Sequence, residues 1–327
     1  MKRVLVTEPI HEDGINLLSA REDVEVIRAD NADPATLARL IPGVHGIAVR
    51  TAKMSADLLS LSKELQVVSR HGVGCDNVDV AHLSQRRIPV AIAAGANSTS
   101  VAELTFAMML TLTRRLRDLD QAVRANNFGA RSKLLSLELE GANLLIVGFG
   151  RIGRKVAARA RAFGMNVTIA DIALDNALAN KLGCKAVEDF RPELPNTDIL
   201  SVHVPLDDST LHLVSDEVLS QLKSGAVLLN CARGGVVDEA ALLKALENGR
   251  LAGAGLDVFS TEPPPADDPV FGPLLAREDV VLAPHAGAAS TGAMRAMAMM
   301  AAQNILDCFD GVLKPDCTFN LEALEPR

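Results

Sequence analysis

Short apolar runs alternate with longer amphipathic stretches along most of the chain. In the first part, the segments predicted as strands are 4–6, 24–27, 46–49 and 65–69, and those with helical spacing of apolar residues lie around 15–19 and 34–40. Strands that alternate with helices are typical of a parallel sheet covered by helices. The pattern therefore predicts one α/β unit here.

A second set of apolar runs begins near Asn143. The strands predicted from it are 144–147, 167–170, 199–204, 227–230, 254–258 and 280–282. The same alternation predicts a second α/β unit in the same chain.

Two long helical patterns flank the second set. Ser100 followed by Glu103 suggests a capping box before a helix over about 101–125, and an Ala/Met-rich helix is predicted over about 290–310. We expect the second helix to fold back on the first unit. The fold class is thus α/β, with two Rossmann-like, doubly wound parallel-sheet domains: a discontinuous one from 1–98 and 290–327, and one from 99–289.

Composition narrows the possible partners. The formal net charge of −8 argues against a nucleic acid or an anionic membrane, which require a broad basic surface. Five cysteines without a C-x-x-C pair argue against a disulfide framework or a zinc site. The apolar run after Met1 is too short for a signal peptide and no window has the length of a membrane span, so we expect a soluble, cytoplasmic protein.

A glycine-rich segment indicates nucleotide binding. Gly148, Gly150 and Gly153 follow the apolar strand 144–147 and precede a helix to about Phe163. In this setting they permit a tight turn, close approach to a pyrophosphate and helix–strand packing, while the helix N-terminus attracts phosphate. A P-loop is excluded because Arg154 and Lys155 follow Gly153 where G-K-[ST] is required.

The next predicted strand ends at Asp171, 23 residues after Gly148. A carboxylate here accepts a hydrogen bond from a ribose 2′-hydroxyl and repels a 2′-phosphate, and no Arg or Lys adjoins it. The sequence therefore predicts NAD as the cofactor.

Three later strand ends carry charged groups in apolar surroundings: Arg233, Glu262 and His285. Ligands of open α/β sheets bind at the carboxyl ends of strands. Oxidising a secondary alcohol requires a base, for which His285 is suited, and Glu262 can orient the imidazole and favour its protonated form. The planar guanidinium of Arg233 can bind the substrate carboxylate and the reacting oxygen.

These segments resemble the D-isomer-specific 2-hydroxyacid dehydrogenases. Residues 230–239, Asn-Cys-Ala-Arg-Gly-Gly-Val-Val-Asp-Glu, are similar to the D-3-phosphoglycerate dehydrogenase branch, and the resemblance covers nearly the whole chain, including 70–79. It implies NAD-dependent transfer of a hydride at C2 of a small acid and the substrate-binding role of Arg233. The residues assigned to the cofactor are Gly148, Gly150, Arg151, Ile152, Gly153, Asp171, His203, Pro205, Cys231, Ala232, Asp257 and Gly287. A structural role for His203 is an equal alternative.

The substrate side is predicted in the first unit. Backbone N–H groups of Val73 and Gly74 can form a nest for a carboxylate, which the resemblance also implies, and Arg50 and Arg70 match substrate-contacting arginines of the phosphoglycerate branch. Two further cations suit an acid with a second negative group at C3, such as 3-phosphoglycerate or sulfolactate, whereas lactate does not require them.

The sequence also departs from that branch. His71 stands where vertebrate phosphoglycerate enzymes have a small residue, and we expect a short form without the regulatory domain, hence without serine feedback. Two alternatives remain: a non-catalytic NAD(H)-sensing protein similar to corepressors of this family, and a formate dehydrogenase relative, which is expected to have Gln in place of Glu262. An extended arm at 128–139 after the long helix, with Arg131 and Lys133, predicts a C2 homodimer, the arrangement typical of the family.

Overall fold

A computed structural model describes residues 1–324, and the chain divides into two compact units. Unit 1 consists of residues 1–97 and the residues from Ala288 onward, and unit 2 of residues 98–287. The sequence predicts the boundaries between the two units after residues 98 and 289. Strands and helices are numbered along the whole chain.

Unit 1 contains a five-stranded parallel sheet in the order β2-β1-β3-β4-β5. Its strands are β1 Lys2–Val6, β2 Val24–Arg28, β3 Gly46–Val49, β4 Val67–Arg70 and β5 Val90–Ile92. Its helices are α1 Glu12–Ser19, α2 Pro34–Leu40, α3 Ala56–Leu59, α4 Val80–Gln85 and α12 Thr291–Phe309. The order is that of a doubly wound sheet of the flavodoxin type.

Helix α12 belongs to unit 1, as its Ala/Met-rich pattern predicts. Ala298, Ala302 and Ile305 on this helix are fully buried in a core with Val4 and Val6 of β1. Small side chains allow the helix to lie close to the sheet at the packing density of a protein interior. The discontinuous arrangement expected for the first unit is therefore present.

Unit 2 contains a seven-stranded parallel sheet in the order β12-β11-β10-β9-β6-β7-β8. Its strands are β6 Asn143–Val147, β7 Asn166–Ala170, β8 Lys185–Val187, β9 Ile199–Val202, β10 Ala226–Asn230, β11 Leu251–Leu256 and β12 Val280–Leu282. Its helices are α5 Ser98–Thr113, α6 Leu116–Arg124, α7 Arg151–Ala162, α8 Asn176–Lys181, α9 Asp216–Gln221, α10 Glu239–Glu247 and α11 Phe271–Ala276. Both units have the predicted doubly wound α/β fold.

The central strand β6 shows why helices cover both faces of this sheet. Leu145 and Val147 belong to one buried cluster, and Leu144 and Ile146 belong to another. Successive side chains of a strand point to opposite faces, so an uninterrupted apolar run requires a core on each side.

The long helix expected over 101–125 is instead two helices, α5 and α6. Arg115 between them has a left-handed backbone conformation, φ 51°, which an α-helix does not tolerate. The predicted capping box is also wrong, because α5 begins at Ser98 and Ser100 lies inside it. Glu103 forms an ion pair with Arg159 of α7, with 3.3 Å between the charged atoms.

The segment expected to be an extended arm begins with a 3-10 helix, Phe128–Ser132. Between residues 133 and 139 the backbone has no regular element, and Leu137 N–H donates to the carbonyl oxygen of Thr113 at 2.9 Å. None of the helices within residues 1–324 is long and apolar enough to span a membrane.

Candidate active site

The three residues predicted to be catalytic follow three adjacent strands of unit 2. Arg233 comes after β10, Glu262 after β11 and His285 after β12, and β10, β11 and β12 are hydrogen-bonded neighbours in the sheet. Because parallel strands end at the same edge, the fold brings the three segments to one side of the sheet.

His285 and Glu262 are in direct contact. Nδ1 of the imidazole lies 2.8 Å from Oε2 of Glu262, and the two side chains are 49% and 38% exposed. The contact occupies Nδ1 and leaves Nε2 as the ring nitrogen that can exchange a proton with a substrate.

Asp257 at the end of β11 supports the backbone that carries His285. Its carboxylate accepts hydrogen bonds from the N–H groups of Ala286 at 2.6 Å and Gly287 at 2.8 Å. Its carbonyl oxygen accepts from His285 N–H at 2.8 Å. These bonds hold His285 in a left-handed conformation, φ 52°, which is uncommon outside glycine and is found at sites where the surroundings fix the backbone.

Asp257 is buried, and this burial raises the pKa of its carboxyl group. The two backbone hydrogen bonds from Ala286 and Gly287 lower this pKa, but by less than burial raises it. Desolvation disfavours the charged form, whereas N–H donors favour it. Both carboxylate oxygens of Asp257 already have partners within the chain. Its predicted contact with the cofactor stays a prediction.

Arg233 is carried by a turn that Asn230 closes. The side-chain N–H of Asn230 donates to the carbonyl oxygen of Arg233 at 2.9 Å, and its side-chain oxygen accepts from Ala232 N–H at 3.0 Å. Asn230 is buried, so both bonds are shielded from water and fix the turn. Within it, Nη1 of Arg233 donates to the carbonyl oxygen of Ala232 at 2.8 Å.

The glycine-rich loop connects β6 to α7. Gly148 has φ 102°, and a Cβ atom there would lie 2.5 Å from the carbonyl oxygen of His203. A Cβ at Gly153 would lie 2.0 Å from the carbonyl oxygen of Gly148, whereas one at Gly150 would meet no heavy atom within 4 Å. The loop is therefore closed toward the protein and open above Gly150, at the N-terminus of α7, where a phosphate can approach.

Asp171 lies directly beside this loop. Its Oδ2 accepts from Phe149 N–H at 2.5 Å and its Oδ1 from Ala173 N–H at 2.7 Å. The acid predicted to bind ribose hydroxyls thus also fixes the backbone of the glycine-rich loop.

His203 and Cys231, two of the residues assigned to the cofactor, have ionisable groups that are shielded from water. Burial lowers the pKa of His203 to about 4, so the ring is neutral at pH 7; Nε2 lies 2.8 Å from Ser201 Oγ, and Nδ1 is buried without a partner among residues 1–324. Burial raises the pKa of the Cys231 thiol to about 12. A structural role for the side chain of His203 is consistent with these contacts.

The remaining assigned residues lie around the same edge of the sheet. Arg151 and Ile152 form the first turn of α7, and Ala232 and Gly287 are buried beside the turns already described. Pro205 is exposed, and its carbonyl oxygen accepts from Thr210 Oγ1 at 2.7 Å.

The residues predicted to bind the substrate lie in unit 1, after β3 and β4. Nε of Arg70 donates to the carbonyl oxygen of Gly74 at 2.6 Å, which closes the loop that contains Val73. Arg50 is exposed, and its backbone is held by Glu8, whose carboxylate accepts from the N–H groups of Arg50, Thr51 and Ala52 at 2.8–3.0 Å.

His71 is buried next to these arginines and contacts helix α12. Its Nε2 lies 3.2 Å from the carbonyl oxygen of Met294. Burial lowers the pKa of His71, and the charges of Arg50 and Arg70 act in the same direction. A neutral imidazole therefore attaches this loop to α12.

Sequence reasoning gave no function to Asn230 or Glu8. Asn230 is the last residue of β10, and Glu8 lies two residues after β1. Both side chains accept hydrogen bonds from backbone N–H groups, and Asn230 also donates one to a backbone carbonyl oxygen. A polar residue at the carboxyl end of an apolar strand is the signal that points to them. The partners of Asn230 lie in the turn that follows it, whereas those of Glu8 follow the neighbouring strand β3.

Comparison with known proteins identifies the relatives of this chain. Residues 106–287 match the family model of the D-isomer specific 2-hydroxyacid dehydrogenase, NAD binding domain. The D-3-phosphoglycerate dehydrogenase of Methanocaldococcus jannaschii is 36% identical over 314 residues, which are 96% of this chain and 58% of that protein. The chain thus spans less than two thirds of the length of this relative.

Two solved structures are similar over nearly their full length. A D-lactate dehydrogenase from Aquifex aeolicus, in complex with NAD and lactic acid, has a TM-score of 0.86 at 28% identity, with 100% of both chains covered. An NADPH-dependent glyoxylate/hydroxypyruvate reductase from Sinorhizobium meliloti, in complex with NADP and malonate, has a TM-score of 0.81 at 33% identity, with 94% of this chain and 93% of that chain covered. With the family match over residues 106–287, these similarities show that the chain belongs to the D-isomer-specific 2-hydroxyacid dehydrogenase family.

Proposed function

We propose that this protein is an NAD-dependent dehydrogenase that oxidises a small D-2-hydroxy acid at C2 or reduces the corresponding 2-oxo acid. The observation that carries this proposal is the 2.8 Å contact between His285 and Glu262. The pair lies at the same sheet edge as Arg233 and the glycine-rich loop. Nicotinamide, when bound, accepts or supplies the hydride.

His285 acts as the general base toward the substrate hydroxyl through Nε2. Glu262 fixes the tautomer, because an imidazole whose Nδ1–H donates to a carboxylate presents the lone pair on Nε2. The carboxylate also favours the imidazolium that forms when the proton is taken. In the reverse direction the same nitrogen returns the proton to the oxygen of the 2-oxo acid.

Arg233 holds the substrate in this arrangement. A guanidinium has donors in a fixed plane, so one group can bind the C1 carboxylate and the oxygen at C2 together. The turn closed by Asn230 restricts its backbone, which lowers the entropy lost when the substrate is bound.

Residues of unit 2 fit a dinucleotide. The open space at Gly150, the N-terminus of α7 with Arg151 and Ile152, and the carboxylate of Asp171 are the groups that would hold pyrophosphate and ribose. Asp171 supports NAD over NADP, because its charge repels a 2′-phosphate. The match to an NAD-binding domain supports the same assignment, whereas the reductase from Sinorhizobium meliloti is NADPH-dependent.

For the substrate we propose an acid with a second anionic group at C3, such as 3-phosphoglycerate or sulfolactate. Arg50 and Arg70 would bind that group, and backbone N–H groups of Val73 and Gly74 would bind a carboxylate. The similarity to a phosphoglycerate dehydrogenase supports this class. The competing substrates are acids similar to the lactic acid and the malonate bound in the two solved structures.

We further propose a C2 homodimer in the cytoplasm. Helix α6 has no buried residue, and apolar side chains of this region are exposed, including Leu116, Phe128 and Leu135. Exposed apolar side chains of this kind suit burial against a second copy. The location rests on the five cysteines, which the sequence shows in no disulfide-type pattern.

The proposal is tested with the purified protein, NAD or NADP, and a panel of acids followed by NADH absorbance. The panel contains 3-phosphoglycerate, sulfolactate, malate, glycerate, lactate and formate, with the 2-oxo acids for the reverse direction. Turnover of at least one 2-hydroxy acid with NAD is expected. Binding of NADH without turnover of any acid would instead favour a nucleotide sensor, and turnover of formate alone would favour the formate dehydrogenase alternative.

The role of Glu262 is tested in the same assay. Glu262→Gln keeps the side-chain shape but removes the charge next to His285, so the pH–rate profile for oxidation should move to lower pH. An unchanged profile would remove the proposed pairing.

The arginines are tested by comparing substrates. Arg50→Met should raise KM for an acid with a charged C3 group by about tenfold or more, the loss of one charge-assisted hydrogen bond. KM for lactate should change little. Equal changes for both substrates would contradict the proposed contact.

A further inference from the structure

A side chain at the start of helix α10 binds the loop that carries Glu262. Glu239, the first residue of α10, accepts a hydrogen bond from Ser260 N–H at 2.7 Å through Oε1. Its other carboxylate oxygen accepts from the hydroxyl of Ser260. One carboxylate thus binds both donors of Ser260, which lies two residues before Glu262.

The same loop lies against the backbone of Gly234. A Cβ atom at Gly234 would be 1.9 Å from the carbonyl carbon of Phe259 and 2.3 Å from Ser260 N. Only glycine fits there. The loop is therefore in contact with the segment that carries Arg233 on one side and is held by Glu239 on the other.

Glu262 completes a chain of contacts. Its Oε1 accepts from Phe259 N–H at 3.1 Å, and its Oε2 contacts His285. The Glu262 carboxylate is therefore held by the backbone of Phe259, and Glu239 holds the next residue, Ser260.

We infer that Glu239 is a positioning residue for the proposed proton-transfer pair, acting through Ser260 and Glu262 on His285. This inference rests on the proposed function, because it assigns Glu239 to the reaction that His285 carries out. Glu239 has no proposed contact with substrate or cofactor.

A purely structural function explains the contact less well. The N-terminus of α10 is already capped by Asp238, whose carboxylate accepts from Ala240 and Ala241 N–H groups at 3.1 Å. Ser260 is exposed, so water can replace Glu239 as the acceptor of its two donors at small cost in stability. The contact thus restricts the geometry of the loop more than it stabilises the fold.

The central variant is Glu239→Ala, compared with Glu239→Gln and with Glu247→Ala as a matched control. Gln can still accept from Ser260 N–H, and Glu247 is the last residue of the same helix. Glu239→Ala should lower kcat by roughly 3- to 30-fold, as expected for a displaced catalytic group, with the NADH dissociation constant and Tm nearly unchanged. Glu239→Gln should restore kcat to within about twofold of wild type.

A double-mutant cycle tests whether the effect passes through Glu262. Glu239→Ala should move the pH–rate profile in the wild-type background and leave it unmoved in the Glu262→Gln background. An equal shift in both backgrounds, or a loss of kcat that follows a lower Tm, would overturn the inference.

A second measurement does not depend on knowing the substrate. The ring signal of His285 can be assigned by NMR with His285→Asn and titrated in the protein without ligands. Glu262 contacts this imidazole, and Asp257 acts on it through charge; Asp257 is unchanged in every variant. The titration should move to lower pH in Glu239→Ala but not in Glu247→Ala. If no acid is turned over but the titration moves, the proposed function fails while the positioning by Glu239 stands; an unmoved titration contradicts the positioning.

Discussion

The backbone N–H of His285 donates to the carbonyl oxygen of Asp257 at 2.8 Å, and the Asp257 carboxylate binds the next two N–H groups. Hydrogen bonds thus join the segments that follow two neighbouring strands, β11 and β12. Because His285 has φ 52°, this arrangement holds the imidazole in place at the cost of an uncommon backbone conformation.

Replacing His285 should remove most of the catalysis without removing cofactor binding. His285→Ala is expected to lower kcat by about 10² to 10⁴-fold, the usual contribution of a general base. NADH affinity should change little, because the proposed base acts on the substrate. The protein has no Trp or Tyr, so the affinity is measured by the emission of NADH itself.

His285→Asn should give the same loss of kcat. Asn tolerates a left-handed conformation better than Ala does, so this variant separates lost chemistry from backbone strain. His212→Asn serves as the control, since His212 also has a left-handed backbone, φ 52°, and is exposed. A His285 variant that keeps more than about half of the wild-type kcat would show that another group is the base.

The choice between NAD and NADP should depend on Asp171. Asp171→Ala is expected to weaken NAD binding and to raise the ratio of kcat/KM for NADP over NAD. Asp171→Asn removes the charge but keeps one acceptor for the N–H groups of Phe149 and Ala173, so it should relax the discrimination with a smaller loss of affinity. Glu188→Gln is a control for the loss of one negative charge after β8. Equal use of both cofactors by the wild type would contradict the assignment.

Acid should destabilise this protein partly through His203. Its folded pKa of about 4 lies below the unfolded value of 6.5. Between these pH values the unfolded state binds a proton at His203 that the folded state does not. The contribution of His203 to the free energy of unfolding is therefore complete above pH 6.5 and is lost as the pH falls toward 4. From pH 7.5 to pH 5 the loss should be on the order of 2 kcal/mol.

This contribution is measured by urea unfolding followed by circular dichroism at both pH values. His203→Gln cannot be protonated, so its stability should fall less between pH 7.5 and pH 5 than that of the wild type. His212→Asn removes an exposed histidine and should follow the wild type. The same acid loss in His203→Gln and wild type would mean that the ring is accessible to protons in the folded state.

The proposed homodimer would bury the exposed apolar side chains around α6. Sedimentation at micromolar concentration should give a species of twice the chain mass of 34.6 kDa. Phe128→Asp combined with Leu135→Asp should shift it to the monomer, because a charge in an apolar interface is costly. A single wild-type species near 34.6 kDa contradicts the dimer.

A dimer whose KM is unchanged by Arg131→Ala and Lys133→Ala would remove the proposed contribution of the arm to the neighbouring site.

The sequence by itself determined the fold class and the order of most elements, because these depend on local patterns. The strand 46–49, the helix 34–40 and the last strand 280–282 are observed as predicted, since each has a continuous apolar or periodic pattern with polar or proline residues at its ends. Glycine spacing after β6 and the motifs around Arg233, Glu262 and His285 also lie in short, continuous segments.

Only the tertiary structure decided features that depend on residues distant in sequence. The break at Arg115 was missed because helical periodicity continues across it and no Gly or Pro marks it in the sequence. The backbone N–H groups that bind the carboxylates of Asp257, Glu239 and Glu8 lie 21 or more residues away, so no local pattern reveals them. The strand order β12-β11-β10 decides which strand ends lie next to each other. That order is a property of the sheet rather than of any one segment.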